Sequence, residues 1–239
     1  MLGLYIGIIL LLNIPYVQHR MSVLVAKELS TVLGSELTVG RINIGLLNRI
    51  IIDDLVLNDQ SGKELLKIGR LSAKFEILPL FSGKISIGNV QLFSFNANLE
   101  RPTPQASTNF QFVLDAFASK DTVKKKSNLD LRINSLLIRR GKVSYDVLSA
   151  ESTPGKFNPQ HIRLSNILAN ISLKALQNDS VNAAIKRMSV EEEHSGFELK
   201  KLSLKIIAND RKMRIENFAI DLPNTSLAMD TIRMEYDSL

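Results

Sequence analysis

One pattern recurs along the chain: apolar, any, apolar, any, any, apolar, any, apolar. It stands as Leu37, Val39, Ile42, Ile44; as Ile50, Ile52, Leu55, Leu57; as Ile85, Ile87, Val90, Leu92; as Leu131, Ile133, Leu136, Ile138; as Ile162, Leu164, Ile167, Ala169; and as Met213, Ile215, Phe218, Ile220. Weaker copies are Leu66, Ile68, Leu71, Ala73; Ala183, Ile185, Met188, Val190; Phe197, Leu199, Leu202, Leu204; and Leu227, Met229, Ile232, Met234. A strand alternates faces with period two, so a step of three would throw its second half onto the wrong face. A bulge at the step repairs this, keeping both halves on one side while bending and twisting the strand. The pair inside the step is often polar, as in Asp53-Asp54, Ser165-Asn166 and Glu216-Asn217, which suits such a break. A series of bent strands is therefore expected.

Turn signals fall between the copies: Asn58 to Gly62, Ser82-Gly83, Ser195-Gly196, Asn209-Asp210 and Pro223-Asn224. Neighbouring strands are expected to be mostly hairpin-linked and antiparallel, in a first block over 35–100 and a second over 128–239. Two stretches do not fit. Residues 101–127 begin with Pro102 and Pro104, carry a short helical patch (Phe110, Val113, Leu114, Phe117) and end in Lys124-Lys125-Lys126, so they read as an insertion. Ser149 to Gln160 reads as a loop.

Met1 to Val17 carries no charged side chain and is interrupted only by Asn13 and Pro15, which predicts a membrane anchor over 1–17. Its helical length of roughly 25 Å is slightly short of a hydrocarbon core of about 30 Å. A cleaved signal is disfavoured by the absence of Lys or Arg ahead of the apolar run. Charge does not orient the anchor, because Arg20 on its C-terminal side would by itself hold the rest in the cytosol. From 18 to 34, Met21, Leu24, Val25, Leu29, Val32 and Leu33 at three- and four-residue steps predict an amphipathic helix stopped by Gly34, lying as a lid on the first strands.

Catalytic chemistry finds little support. The chain has no Cys, which removes disulfides, thiolate zinc sites and cysteine nucleophiles. His19, His161 and His194 are far apart, and Glu191-Glu192-Glu193-His194 reads as a solvated turn flank rather than a metal site. No phosphate-binding loop, dinucleotide fingerprint, nucleophile elbow or zincin motif is present. No enzymatic activity, cofactor or metal is expected. The excess of 30 basic over 24 acidic residues is mild, and Arg139-Arg140 and the lysine run lack the interleaved aromatics of a nucleic-acid surface. They read as surface charges, or as contacts for anionic lipid headgroups near a membrane, and no nucleic-acid partner is expected.

A long aliphatic face on many strands must be covered. Either a second sheet packs on it, or the sheet curls into a trough that something else fills. Periodicity leaves both open, with repeated bulges favouring curvature.

Several segments carry a family resemblance: the anchor ending in Asn13-Ile14-Pro15, the run Leu37 to Ile42, Ile52-Asp53-Asp54-Leu55-Val56-Leu57-Asn58-Asp59, and Leu78-Pro79-Leu80-Phe81-Ser82-Gly83-Lys84-Ile85. They resemble the start of TamB proteins, of the wider AsmA-like superfamily. Phe112 to Phe117 is similar to a segment of TamB-like proteins of Bacteroides-type bacteria. The resemblance is densest over residues 1–100.

It implies a single-pass inner-membrane anchor with the bulk in the periplasm of a Gram-negative bacterium. It also implies an elongated, curled antiparallel sheet forming a U-shaped β-groove, phospholipid as cargo toward the outer membrane, and a link to outer-membrane protein assembly. An outer-membrane barrel of the TamA or BamA type would be the partner. Family members are several times longer, so the chain is expected to be a truncated portion whose barrel-facing C-terminal region is absent. The expected groove lining is Ile42, Ile44, Ile52, Leu55, Leu57, Ile87, Val90, Leu92, Ile133, Leu136, Ile138, Ile167, Leu204, Ile215, Phe218 and Ile220. Two other readings stay open: an assembly factor that pairs strands with client barrels, and a structural β-sandwich.

Overall fold

The structure is a computed structural model that describes every residue except 1, 2, 4–6, 8, 9, 12, 46, 47, 77–84, 118–128, 131–133, 178, 179, 210 and 236–239. Helix α1 (Pro15–Leu33) leads into strands β1 (Leu37–Gly45), β2 (Arg49–Asn58), β3 (Glu64–Glu76) and β4 (Ile85–Arg101). A short helix α2 (Gln111–Phe117) follows, then β5 (Leu129–Asp130), β6 (Ser135–Val147), β7 (His161–Gln177), β8 (Ser180–Glu192), β9 (Phe197–Ala208), β10 (Lys212–Asp221) and β11 (Ser226–Glu235).

All the strands belong to one sheet. Its order is β1-β2-β3-β4-β6-β7-β8-β9-β10-β11, with β5 paired to β4 off this path. Among the described residues β1 and β11 do not pair with each other, so the sheet is open rather than closed into a barrel, and no second sheet lies against it. The expectation of an antiparallel sheet needs one correction: β4 and β6 run parallel, Asn89 beside Ser135 through Arg101 beside Val147. A parallel neighbour requires a long crossover. Residues 102–134 supply it, so what reads as an insertion is the connection that lets the second half of the sheet continue from the first.

The breaks in alternation are real backbone events. Asp54, Ser94, Arg140, Asn166 and Asn217 take positive φ of 56°, 53°, 54°, 50° and 52° inside β2, β4, β6, β7 and β10. Asp and Asn tolerate this left-handed region better than other side-chain-bearing residues. In the first five strands of the path the breaks line up. Gly40 lies across from Asp54, Asp54 from Gly69, Gly69 from Ser94, and Ser94 from Arg140, each at the gap left in the ladder between flanking pairs. A Cβ on Gly40 would come within 3.0 Å of the Asp54 Cβ, which is why glycine sits beside the left-handed residue. Left-handed residues aligned on one line add local twist there, which favours curvature about that line. In the second half the breaks show as register shifts between β6 and β7, β7 and β8, β8 and β9, and β9 and β10. Asn217→Gly is expected to leave stability nearly unchanged, whereas Asn217→Val costs about 1–2 kcal/mol. Equal urea midpoints for the two variants would refute the bulge assignment.

Helix α1 begins at Pro15, three residues before the expected boundary, and ends as expected at Gly34, whose φ of 63° lets its N–H reach the Ser30 carbonyl. It lies along β1, held by Asn13 Nδ2 donating to the Ile44 carbonyl at 2.9 Å and Gln18 Nε2 to Asn43 Oδ1 at 2.5 Å. Its buried side carries Ser22 and Leu33. Ala26 and Leu29 join Leu33, Leu37, Leu57 and Leu65 in a cluster that α2 completes with Phe112, Val113 and Ala116. Leu24 and Val32, expected on the lid's inner face, point outward at 63% and 57% exposure. No helix among the described residues is long and apolar enough to cross a membrane. Much of the 1–17 segment expected to do so lies outside them.

Candidate functional site: a continuous apolar face

Following the ladder partners from strand to strand shows what the open sheet presents. One row runs Ile42, Ile52, Leu71, Leu92, Ile138, Ala169, Met188, Leu202, Ile220 and Leu227. It crosses all ten strands of the path without a polar residue. A parallel row holds Ile44, Ile50, Ala73, Val90, Leu136, Ile171, Ile185 and Leu204 over eight strands. On the far side of the bends Val39, Leu55, Ile68 and Phe95 continue the same face, as Gly141 and Ile167 do in β6 and β7. The opposite face is different in kind. Its row beside the bends reads Arg41, Asp53, Arg70, Phe93 and Arg139. Arg70 holds Asp53 at 2.6 Å, and the Arg139 guanidinium lies 5.9 Å from the Phe93 ring centre.

Among the described residues no second sheet faces the apolar rows. The strands make their extensive backbone contacts with ladder neighbours, and α1 packs on β1. The accessible surface of 16041 Å² compares with roughly 10,700 Å² expected for a compact protein of 26.7 kDa. Most row members are half-buried rather than sealed, among them Ile52, Val90, Leu92, Leu136, Ile138, Leu204, Ile215, Phe218 and Ile220. Neighbouring side chains shelter them partially, and among the described residues no second sheet completes the burial.

The expected lining residues therefore do not stand alike. Ile42, Ile52, Leu92, Ile138 and Ile220 share the ten-strand row, and Ile44, Val90, Leu136 and Leu204 the eight-strand one. Ile215 sits in a short fifth row with Leu173, Ala183, Ile206 and Ile232, while Phe218 faces Met229 across the β10–β11 ladder. Leu57, at 3% exposure, is sealed under the two helices and is ordinary core, and Ile42 at 3% and Leu55 at 8% are buried too. Ile167 is likewise buried, at 7%, with Val190 and Leu199. Ile87 is placed by its ladder position opposite Phe75. Ile133 lies outside the described residues. Leu71, Ile171, Ile185, Met188 and Leu202 belong to the face and were not among the expected lining. Their signal is register: Leu71, Ile171, Ile185 and Leu202 are ladder partners of residues that were, and Met188 joins through Ala169 and Leu202 of the same row.

The face stops at a polar margin. A row of Leu37, Leu57, Leu66, Ala97, Val143 and Leu164 is interrupted by Glu192, which is 3% exposed and pairs onward with Phe197. This carboxylate accepts from the Ser195 hydroxyl at 2.5 Å and from the backbone N–H groups of Ser195 at 2.7 Å, Arg163 at 3.2 Å and His194 at 3.3 Å. The expected solvated flank is thus a buried organiser of the β8–β9 turn. Burial pushes its pKa up, but the Ser195, Arg163 and His194 bonds outweigh that and hold it at about 2. Since the folded value lies below the unfolded one, the gain is complete above pH ~4.5 and is lost as pH falls toward 2, on the order of 3 kcal/mol in all. Urea midpoints should fall across that window, and Glu192→Gln should be weaker at neutral pH and flatter in acid; parallel losses would remove Glu192 as the cause.

Nearby, both ring nitrogens of His161 face acceptors, Asp146 Oδ1 at 2.9 Å and the Ala150 carbonyl at 3.0 Å. Asp146 raises its pKa and favours the imidazolium. That contribution is present below pH ~6.5 and fades as pH climbs through the raised value. Arg163 adds a second cation on Asp146 at 2.7 Å. His194 Nδ1 lies 3.3 Å from the His161 carbonyl, so the fold does bring these two histidines together. All these groups are engaged in tying the strand ends, and no group of three or more His, Asp or Glu among the described residues is arranged to hold a metal.

The site is then an extended hydrophobic surface with a charged reverse side and a polar margin, suited to binding long apolar molecules along the sheet. Compared with family models and with curated proteins, the chain matches none.

Proposed function

We propose that the chain is a membrane-tethered, non-enzymatic lipid conduit of a Gram-negative envelope, whose curled sheet forms a trough that shelters phospholipid acyl chains while headgroups stay in water. The observation that carries this reading is the ten-strand apolar row on an open sheet that, among the described residues, no second sheet faces. Each buried methylene contributes about 0.8 kcal/mol, so a chain of some fifteen methylenes needs about 12 kcal/mol of shelter to leave a bilayer without loss. Ten strands spaced ~4.8 Å apart offer an apolar track of roughly 45 Å, longer than such a chain. The Met1–Val17 run supplies the tether and the periplasm is the expected compartment. The resemblance to TamB proteins supports transfer toward the outer membrane and a TamA- or BamA-type barrel partner.

Native mass spectrometry of the full chain, taken from membranes in mild detergent, tests the reading. Folded protein should carry one or more phospholipid masses, and folded protein with none would refute it.

A second reading is favoured by β11. Leu227, Met229 and Met234 there are 46%, 42% and 42% exposed, and among the described residues the strand pairs with β10 alone. Such an edge can add a client strand. Crosslinks from β11 to unfolded barrel proteins, with no lipid on the sheet, would favour assembly without lipid carriage.

A further inference from the structure

Helix α1 is apolar on two sides, and the sheet accounts for one of them. Its inner side, Ser22, Ala26, Leu29 and Leu33, is packed as described above. Its outer side carries Tyr16 at 67% exposure, Val23 at 54% and Leu24 at 63%. Val23 and Leu24 follow Tyr16 by seven and eight residues, two turns on along one helical stripe. Between them lie Arg20 and Lys27, both exposed, with His19 alongside. Over these turns the stripe has no acid; Glu28 follows only at its C-terminal flank. Among the described residues the Arg20 guanidinium meets no carboxylate. It stacks 5.5 Å from the Tyr16 ring centre, its Nε donating to the Tyr16 hydroxyl at 3.2 Å.

We propose that this stripe lies in the headgroup region of an anionic bilayer, with Tyr16, Val23 and Leu24 dipped into the acyl boundary and Arg20 and Lys27 pairing with lipid phosphates. The mixture of aliphatic, tyrosyl and cationic side chains on one helical face is what an interfacial helix requires. Geometry permits it. Ile14 is extended, with φ −65° and ψ 129°, and Pro15 opens the helix, so α1 starts anew after Ile14. A helix that starts anew need not share the axis of the segment before it and can lie flat on a membrane surface. The Asn13 and Gln18 bonds to β1 fix the helix's rotation, which keeps the stripe turned away from the sheet. The inference rests on the proposed tether for its proximity to a bilayer and not on lipid carriage by the sheet. Its consequence is that the first strand of the sheet is held beside the membrane surface.

The absence of Cys allows a single reporter. Full-length chain with Leu24→Cys, carrying an environment-sensitive fluorophore, is placed in vesicles of phosphatidylcholine alone or with one-third phosphatidylglycerol; Asn98→Cys on β4 is the control. Emission at position 24 should shift to the blue with anionic lipid and be quenched by headgroup-region nitroxide lipid, while position 98 stays in water. Arg20→Glu with Lys27→Glu should abolish the dependence on phosphatidylglycerol, each cation being worth roughly a fivefold change in partitioning. A water-like signal at position 24 in both vesicle types overturns the inference, as does equal quenching before and after charge reversal. Resistance to alkaline carbonate reports the tether separately. A resistant chain with position 24 in water leaves the tether standing and removes the interfacial helix.

Discussion

Glutamate in place of Phe218, or of Val90, is expected to lower phospholipid retention by more than tenfold while leaving the chain folded and membrane-bound. Val90 lies in the eight-strand row between Ala73 and Leu136, and Phe218 faces Met229 near the open end of the sheet. Both are half-buried, so a carboxylate at either place can keep part of its water when the trough is empty. An acyl chain laid over it would strip that water, at a cost of several kcal/mol, and about 1.4 kcal/mol is already tenfold in occupancy. The same substitution separates two architectures. Were the face sealed by another protein layer, the charge would be buried permanently and the protein would unfold instead. Urea midpoints and lipid content measured on one preparation tell these apart: small loss of stability with large loss of lipid supports the open face, and unfolding, or undiminished lipid, contradicts it.

Gly141→Val is expected to be the most damaging single change to the fold, about 3 kcal/mol or more. Gly141 lies in β6 just past the left-handed Arg140, and the ring of Phe95 from β4 occupies the space where its Cβ would be. Phe95 in turn packs against the Ile167, Val190 and Leu199 cluster. A branched side chain must therefore push the ring off that cluster or part the parallel pair that joins the two halves of the sheet. Phe95→Ala alone opens a void, yet it should relieve much of the penalty when combined with Gly141→Val. A double-mutant cycle in urea should give costs well short of additive. Strict additivity would mean that the two residues do not share the space.

Much of this architecture is written in the spacing of apolar residues. The three-residue step at Asp53-Asp54, Ser165-Asn166 and Glu216-Asn217 marks the left-handed residue in β2, β7 and β10, because Asp and Asn both interrupt the pattern and tolerate the backbone it needs. In β4 and β6 the left-handed residues are Ser94 and Arg140, a few residues beyond the steps the pattern singles out at Gly88-Asn89 and Asn134-Ser135. There the second apolar half is disguised, since Phe93 on the other face is apolar too and Gly141 stands where an apolar side chain would be. The β4 step is nonetheless a bulge: Lys74 faces Asn89 and Phe75 faces Ile87, leaving Gly88 as the extra residue.

Strand direction left no trace in the pattern. A parallel strand buries the same face as an antiparallel one, so the β4–β6 pairing was hidden behind a crossover that looks like an insertion. The outward Leu24 and Val32 were misplaced for a similar reason. A helix with apolar residues around most of its circumference gives no single face from periodicity, and β1 is too narrow to cover them all. Glu192 was hidden because three of its four hydrogen bonds come from His194 and Ser195 in the turn it organises, and the other from Arg163 on a neighbouring strand.

The central claim is that the apolar face is open to lipid and to nothing else. Photo-crosslinking at adjacent residues on the two faces addresses it most directly. A crosslinker at Val90, Ile138 or Phe218 in membrane-bound chain should capture phospholipid, and one at Asn89 or Asn217 should not. Protein–protein adducts at the apolar positions, or lipid adducts that ignore the alternation, would contradict it.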